Sequence, residues 1–510
     1  MSLRGKWLSN RVIFLSSLLV LSFLWKIVPG TGSYLLLQSL NVLRAFLFLF
    51  SVFQITLFKE KLPDRAVGSL FLNSLSFAFL TLPFWAVYLF WIVDFHPLGL
   101  PFILIYEFLW EFVRLTAVFL VPVCFEIFPW MAVDYLKSLT GSFAFPWGSY
   151  PLMLSQVGFN GNLSHFEVNV AFLFPKWLTS LDGVGSPYFS ASAVLAILWI
   201  GLCSQKSFCK VRRRAVPVYI ITILVFLALF VPDRYARRVQ PEGSFSASHR
   251  FSRVVLVQPL IDPGWGYYER KKRLQSMLDE LDKFLESKTS QETGDYLIVL
   301  PENVFKYPLD MLPEYRTFKN FAISNGVYLL AGANRLATRG DSTDKSLFYN
   351  TAFLFTPDGK VFTYDKAHLV PFGEYVPEPF CHLPFVKRIV ESAGGGGFVS
   401  GESYEPIYDG LGVLICFESA FLGISKREVM NGAKLLINIT NDYWSRSTFS
   451  HVEHFKFALF TALKFSIPMI RCGNSGVSAV IVPWSKSFVV FSLPPFKKCW
   501  GVCDLSRLLN

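Results

Sequence analysis

Charge is scarce in this sequence of 510 residues. Only 17% of it is Asp, Glu, Lys or Arg, against roughly 25% in average soluble domains. With 52% hydrophobic residues and a mean hydropathy of +0.41, a disordered chain and an ordinary cytosolic enzyme are both excluded. Glycine (33) and proline (29) are too few for a collagen-like chain. There is no internal repeat. No nucleotide-binding glycine loop is evident either, because Gly394–Gly397 is a featureless run of four glycines. Acidic residues are the minority, 37 against 48 basic, giving a net charge of +11. What is abundant is phenylalanine, at 53 residues. The balance of evidence in the composition points to a membrane protein.

The charges are unevenly placed. Residues 1–231 hold 16 basic and 9 acidic residues, whereas residues 232–510 hold 32 and 28. Apolar runs in the first part lie at 12–28, 34–58, 66–93, 98–113, 115–139, 186–203 and 215–231. Those at 66–93, 186–203 and 215–231 are each long enough to cross a bilayer. The run at 98–113 is short and carries Glu107 and Glu111. Basic clusters at Arg4, Lys6 and Arg11, at Lys59, Lys61 and Arg65, and at Lys206 to Arg214 all fall on one side if there are seven spans and a cytoplasmic N-terminus. That parity puts the second half outside the cytoplasm. The basic excess of the first half is thereby read as membrane orientation, and no nucleic-acid partner is expected.

Residues 232–250 are polar and read as a linker, leaving a soluble-like domain over 251–510. Short β-rich runs there include Val254–Gln258, Tyr296–Leu300, Val327–Ala331, Thr351–Phe355, Gly412–Ile415, Leu435–Ile439 and Ser478–Val482. Several are continuously apolar, as strands buried on both faces should be. Helical stretches at 267–287 and 451–466 are interspersed. The expected architecture is a polytopic helical membrane domain (1–231) followed by an α/β domain with a central sheet or sandwich.

Three segments of that domain are apolar strands ending in a reactive residue. Tyr-Leu-Ile-Val-Leu-Pro-Glu ends at Glu302, Val-Phe-Thr-Tyr-Asp-Lys at Lys366, and Gly-Val-Leu-Ile-Cys-Phe-Glu at Cys416 and Glu418. Sites in α/β folds gather at such strand ends. A carboxylate can take a thiol proton and a lysine can hold an oxyanion. A Cys, a Glu and a Lys are therefore a sufficient set for acyl transfer through a thioester. Taken singly, each has an ordinary structural explanation: a buried small hydrophobe, a turn residue, a solvated cation.

The surrounding sequence resembles the nitrilase superfamily, and within it the bacterial apolipoprotein N-acyltransferases. Tyr364-Asp365-Lys366-Ala367-His368-Leu369-Val370-Pro371-Phe372-Gly373-Glu374-Tyr375-Val376-Pro377 is similar to that family's longest motif. Leu300-Pro301-Glu302 and Ile415-Cys416-Phe417-Glu418 resemble its glutamate and nucleophile motifs, with Phe417 where Tyr is common. Asn441-Asp442-Tyr443-Trp444, Arg471-Cys472-Gly473-Asn474-Ser475-Gly476 and Phe145-Pro146-Trp147-Gly148-Ser149-Tyr150 resemble further family segments. The resemblance implies an αββα sandwich with Cys416 as nucleophile, Glu302 as general base and Lys366 as oxyanion stabiliser. It also implies supporting roles for Glu374 and Glu418, substrate contact by Trp444, and a place for Trp265 on a loop over the site. Two departures stand out. Ser445-Arg446 replace the family's usual Phe-Gly, so the substrate-facing loop is expected to differ. The family usually ends in one more membrane span, and no such run follows Trp500.

Five of the eight cysteines lie in the second half, so at least one is unpaired if disulfides stay within the chain. Cys499 and Cys503 could bridge. His451, Glu453 and His454 lack the His-Glu-x-x-His spacing of a zinc protease, and neither metal nor cofactor is expected.

Together the resemblance implies a multi-pass enzyme of the bacterial inner membrane with its catalytic domain on the periplasmic side. Its acyl donor would be a phospholipid and its acceptor a diacylglyceryl-modified apolipoprotein. Two alternatives are a membrane-anchored nitrilase-type amidase, and a polytopic transporter whose Glu107, Glu111, Arg114 and Asp134 line a path. Those four could instead pair locally at helix spacing.

Overall fold

The computed structural model describes residues 3–26, 67–94, 99–120, 155–161, 166–172, 251–288, 296–337, 347–378, 380–392, 396–485 and 488–506, with isolated helical positions at 43–55 and 133. The chain divides into two compact units, Met1–Phe159 with Asn169–Arg237, and Asn160–Val168 with Arg238–Asn510. The apolar runs at 186–203 and 215–231, nearly all of the run at 34–58 and the linker at 232–250 lie outside the described residues.

In the first unit, helices α1 (Leu3–Lys26), α2 (Val67–Tyr88) and α3 (Gly99–Leu120) pack with α2 in the middle. Phe77 of α2 meets Phe14 of α1 edge-on at 5.3 Å and Phe119 of α3 at 6.0 Å. Among the described residues, one helical stretch, Ser69–Tyr88, is long and apolar enough to cross a membrane. The sequence separates 98–113 from 115–139 at Arg114, but α3 runs through that position without a break. The reason is local charge pairing. Arg114 pairs with Glu111 one turn earlier, and both are buried with Glu107. Meanwhile Phe102, Ile105, Leu109, Val113 and Leu120 of the same helix are exposed. The buried face mixes these charges with Leu115, Val118 and Phe119, whereas an apolar exposed face is the reverse of a soluble helix. A two-stranded sheet, β1 (Ser155–Gly161) with β2 (Phe166–Phe172), was not legible in the sequence.

The second unit contains two sheets. The larger has the order β13-β3-β4-β5-β6-β7, from Cys499–Asp504, Arg253–Gln258, Tyr296–Val299, Tyr328–Leu336, Phe348–Phe355 and Val361–Asp365. The smaller has the order β12-β11-β10-β9-β8, from Val489–Leu493, Ser478–Ile481, Met469–Gly473, Leu435–Thr440 and Leu411–Ile415. Strands β3, β4 and β5 run parallel, as do β8, β9 and β10.

Side-chain alternation builds the layers. Val254, Leu256, Leu297 and Val299 join Val413, Ile415, Ile437 and Ile439 in one core between the sheets. Their neighbours Val255, Val257, Ile298 and Leu300 point the other way, into a second core. That second core is closed by α4 (Tyr267–Glu286) and α5 (Pro313–Asn325). Leu274, Met277, Leu278, Leu281 and Leu285 form the apolar stripe of α4, at the spacing of one helix face. Proline begins α5, and Gly326 ends it in the left-handed region (φ 64°). Helices α6 (Pro384–Ser392), α7 (Leu422–Met430) and α8 (Thr448–Phe465) complete the unit. Of these, α7 and α8 contact the smaller sheet, giving four layers, α-β-β-α. Each fully buried aliphatic side chain contributes about 1.5–3 kcal/mol, so this double core outweighs any single polar contact in fixing the fold.

Candidate active site

The carboxyl ends of β4, β8 and β9 deliver the site. Glu302 follows β4 by way of Leu300 and Pro301, Cys416 directly follows β8, and Asn441 directly follows β9. Lys366 follows β7 and is bonded back to β6 through its N–H to the Asn350 carbonyl (2.8 Å). Glu302 and Lys366 thus come from the larger sheet and Cys416 from the smaller.

The lysine ammonium lies 3.0 Å from Glu374 Oε1 and 3.7 Å from Glu302 Oε1. Asn350 Nδ2 donates to both carboxylates, at 2.7 Å to Glu302 and 2.9 Å to Glu374. The second oxygen of Glu302 accepts the Asn441 N–H at 2.9 Å, and that of Glu374 accepts the Val370 N–H at 2.7 Å. Lys366 is 1% exposed, Glu302 7% and Cys416 8%.

Burial acts on each group. It opposes the charge of Lys366, but Glu374 and Glu302 hold the amine protonated well above the usual lysine range. Burial raises the Glu302 carboxyl; Lys366 and the bonds from Asn350 and Asn441 work against that rise. Burial, then the charge of Glu302, pushes the Cys416 thiol up, and Lys366 pulls it down. Cys416 is therefore held as a neutral thiol beside a carboxyl whose proton affinity is raised.

Cys416 sits at φ 54°, a left-handed conformation uncommon for any residue with a Cβ. A single turn of 3₁₀ helix, Cys416–Ala420, follows. Glu418 in that turn reaches back to the Ile415 N–H (2.7 Å). Its other oxygen accepts from Ala367 N (2.7 Å) and His368 N (3.0 Å), and Tyr364 Oη donates at 3.1 Å. Burial raises the Glu418 carboxyl to about 7, against the bond from Ile415 and the charge of Lys366.

Glu302, Lys366, Glu374, Cys416 and Glu418 are thus brought together. Trp444 is half-buried on the turn Asp442–Trp444, its ring 6.4 Å from that of His454. Trp265 packs on the outer core beside Arg273, whose guanidinium lies 5.1 Å over the indole. Its loop is clipped to the site by Asn474, which donates to the Ile261 carbonyl (2.7 Å) and to Asn441 Oδ1 (3.0 Å). A cleft of about 590 Å³ is lined by Tyr443, Ser445, Arg446, Thr448 and Phe496, immediately beyond in the chain from the Asn441 that bonds Glu302. It contains the Ser445-Arg446 departure noted in the sequence.

Asn350 escaped the sequence reading. The available signal was a polar amide interrupting the apolar strand β6. The five described cysteines, Cys381, Cys416, Cys472, Cys499 and Cys503, are all free thiols, so Cys499 and Cys503 do not bridge. His451 and His454 serve the polypeptide itself. His451 Nε2 is 2.8 Å from the Asp442 and Ser445 carbonyls, and His454 Nδ1 is 2.6 Å from Asp442 Oδ1. At the surface, Glu378, Cys381 and His382 bring three possible ligand atoms within 4.8 Å of one another. That set is open to solvent, and Glu378 already pairs with His382 at 2.9 Å.

Residues 244–493, about half of the chain, match the carbon-nitrogen hydrolase family, so this stretch is a carbon-nitrogen hydrolase domain. Within that family, the chain groups with the apolipoprotein N-acyltransferases. The enzyme of that name from Geobacter metallireducens is 30% identical over 267 residues, 51% of this chain and 49% of the relative. Apolipoprotein N-acyltransferase 1 of Treponema denticola is 27% identical over 455 residues, 83% of this chain and 79% of the relative. The matched stretch thus spans about half of the first relative and about four fifths of the second. Among solved structures, a carbon-nitrogen hydrolase from Helicobacter pylori G27 aligns at 18% identity, over 50% of this chain and 90% of that one, with a TM-score of 0.35.

Proposed function

We propose that this protein is a membrane acyltransferase that moves a fatty acyl chain from a phospholipid to the N-terminal amine of a diacylglyceryl-cysteine lipoprotein. The observation that carries the reading is the meeting of Glu302, Lys366 and Glu374 on one sheet with a left-handed Cys416 on the other. The lipoprotein acceptor is carried over from the names of the relatives above, and the phospholipid donor from the motif resemblance.

Glu302 takes the Cys416 thiol proton as the sulfur attacks the donor's ester carbonyl. A raised carboxyl is the stronger base for this step. The tetrahedral oxyanion forms beside the Lys366 ammonium, which its two carboxylate neighbours keep charged. Collapse breaks the C–O bond, and Glu302 returns the proton to the departing lysophospholipid. The acceptor's neutral α-amine then attacks the thioester, forming the amide and restoring the thiol. Glu374 holds Lys366 in place, and Glu418 supports the nucleophile turn. The cleft at Tyr443 and Arg446 is the approach for substrate, and Trp444 falls in the chain between its lining residues Tyr443 and Ser445.

The unit containing α1–α3 is read as the membrane anchor, with the catalytic domain on the periplasmic side of the bacterial inner membrane. Support comes from the exposed apolar face of α3 and the apolar length of α2. Local pairing of Glu111 with Arg114 removes the need to read those charges as a transport path. Holding the domain at the bilayer raises the local concentration of two lipid-anchored substrates.

Incubation of the full chain in membranes with radiolabelled phospholipid tests the proposal. A hydroxylamine-sensitive acyl adduct should form, be absent from Cys416→Ala, and discharge when lipoprotein is added. Hydrolysis of a small amide with no lipid-derived adduct would replace this reading with an amidase.

A further inference from the structure

Behind the nucleophile, on the face of the smaller sheet turned away from the inter-sheet core, lies a buried polar assembly that the chemistry above does not use. Asn438 of β9 and Arg471 of β10 are paired in register, and both are fully buried. Arg471 donates to Asn438 Oδ1, and through Nη2 to Asp442 Oδ2 at 3.0 Å. Asp442 Oδ1 is met by His454 Nδ1 (2.6 Å) and the Thr440 hydroxyl (3.0 Å). Burial opposes the Asp442 charge, but Arg471 and His454 hold the carboxyl well below the usual range.

The orientation of the Asn438 amide follows from its partner. A guanidinium only donates, so Oδ1 must face Arg471 and Nδ2 must face the other way. There Nδ2 meets the carbonyls on either side of Ile415, those of Leu414 (3.0 Å) and Cys416 (3.3 Å). The Ser419 hydroxyl donates to the same Cys416 carbonyl at 3.0 Å. The assembly has no slack on its far side, because a Cβ at Gly476 would fall 1.9 Å from Asp442 Oδ2.

An apolar set of the same volume would hold two strands together equally well. It would not donate to the carbonyl of a residue held at φ 54°. We infer that Asn438, aimed by Arg471 and Asp442, is a positioning residue that holds the main chain of Cys416 in its left-handed, attack-ready conformation. The inference rests on Cys416 being the nucleophile, as proposed above.

A matched control exists within the same domain. Gln258 is also fully buried and also donates to two main-chain carbonyls, Pro494 and Lys497, each at 2.8 Å, but it serves the joint between β3 and the segment before β13. The full chain in detergent would be compared as wild type, Asn438→Ala, Asn438→Asp and Gln258→Ala. The readouts are iodoacetamide alkylation of Cys416 by mass spectrometry, kcat and KM for acyl transfer, and the unfolding midpoint.

Both Asn438 variants should lower the alkylation rate and kcat by about tenfold or more at unchanged KM, since small misplacement of a reacting group is costly. Gln258→Ala should lower the midpoint without that kinetic loss. Ser419→Ala, a milder change, should show the same kinetic signature should Asn438→Ala fail to fold. Equal kinetics in wild type and Asn438→Asp, or losses that track the midpoint alike at Asn438 and Gln258, would overturn the inference. A wild-type Cys416 that resists alkylation would instead overturn the nucleophile assignment, and this inference with it.

Discussion

The Glu418 carboxylate accepts the Ala367 main-chain N–H at 2.7 Å, and in doing so joins the two sheets at the site. Ala367 follows the lysine at the end of β7, whereas Glu418 lies two residues beyond Cys416 at the end of β8. The same side chain holds Ile415 N at 2.7 Å. Lys366 and Cys416 are therefore spaced by one carboxylate rather than by the packing of the layers alone.

Glu418→Gln should consequently separate activity from folding. The amide keeps the shape but turns one acceptor into a donor, which must face either Ile415 N–H or the Ala367 and His368 N–H groups. An unsatisfied buried N–H costs about 1–3 kcal/mol, whereas a shift of the turn by about 1 Å costs on the order of 100-fold in rate. Turnover assays beside thermal unfolding check this. A variant with full turnover would remove the spacing role. Tyr364→Phe deletes a longer bond to Glu418 (3.1 Å) and should cost much less.

Lys366→Met should cut turnover steeply while leaving substrate binding intact. It removes the cation from between Glu302 and Glu374, which share one Asn350 amide. Loss of an oxyanion donor typically costs roughly 10²–10³ in kcat. Without the ammonium, burial and the charge of Glu374 both raise Glu302, so any residual activity should have its acidic limb shifted to higher pH. Residual rates measured from pH 5 to 9 check the shift. An unmoved limb would mean that Glu302 is not the group titrating.

How much of this could be read in the sequence depended on which way residues face. Strands β3, β4 and β8 lie between two layers, so their sequences are nearly continuous apolar runs, and β9 is broken only by Asn438 and Thr440. By contrast, β10 carries Arg471 at its centre, and β13 begins after two lysines with Cys499 and Trp500 half-exposed, so neither looks like a strand. β13 nevertheless pairs along its whole length with β3 as the edge of the larger sheet. The strand-end Glu302, Lys366 and Cys416 were legible because reactive residues interrupt apolar runs there. Asn350, Asn438 and Arg471 were not, because their partners are main-chain carbonyls and carboxylates far away in the chain. Trp265 looked like a residue over the site; in the fold its indole turns to the outer core while its loop remains tied to Asn474.

Gly332→Ala should displace Glu302 from a distance in sequence. Gly332 lies in β5, and a Cβ there would be 2.6 Å from Glu302 Cα and 2.8 Å from both the Pro301 carbonyl and Ile439 Cδ1. Two of those contacts are main chain, so no side-chain rotation relieves them. The Leu300–Glu302 segment must move, carrying Glu302 from Asn350 and Asn441. Overpacking of this kind costs about 1–3 kcal/mol in stability, and kcat should fall far more than that figure would suggest. A folded variant with wild-type kcat would show that Glu302 tolerates displacement.

Glu428 gives a prediction about pH. It is fully buried on α7, and neither carboxylate oxygen has a hydrogen-bond partner. Burial, with the charges of Glu418 and Glu405, pushes its carboxyl up to about 9. Between its unfolded value of 4.5 and about 9, the folded protein holds a proton that the unfolded chain has lost. Its contribution to stability is therefore complete below the unfolded value and falls as pH rises through that window, by about 1.4 kcal/mol per pH unit. Glu428→Gln removes the titration. The variant should match wild type near pH 4.5 and become progressively more stable than it up to about pH 9, as unfolding midpoints across pH 5–9 would record. A constant difference over that range would mean that Glu428 is ionised in the folded protein and that its charge is compensated.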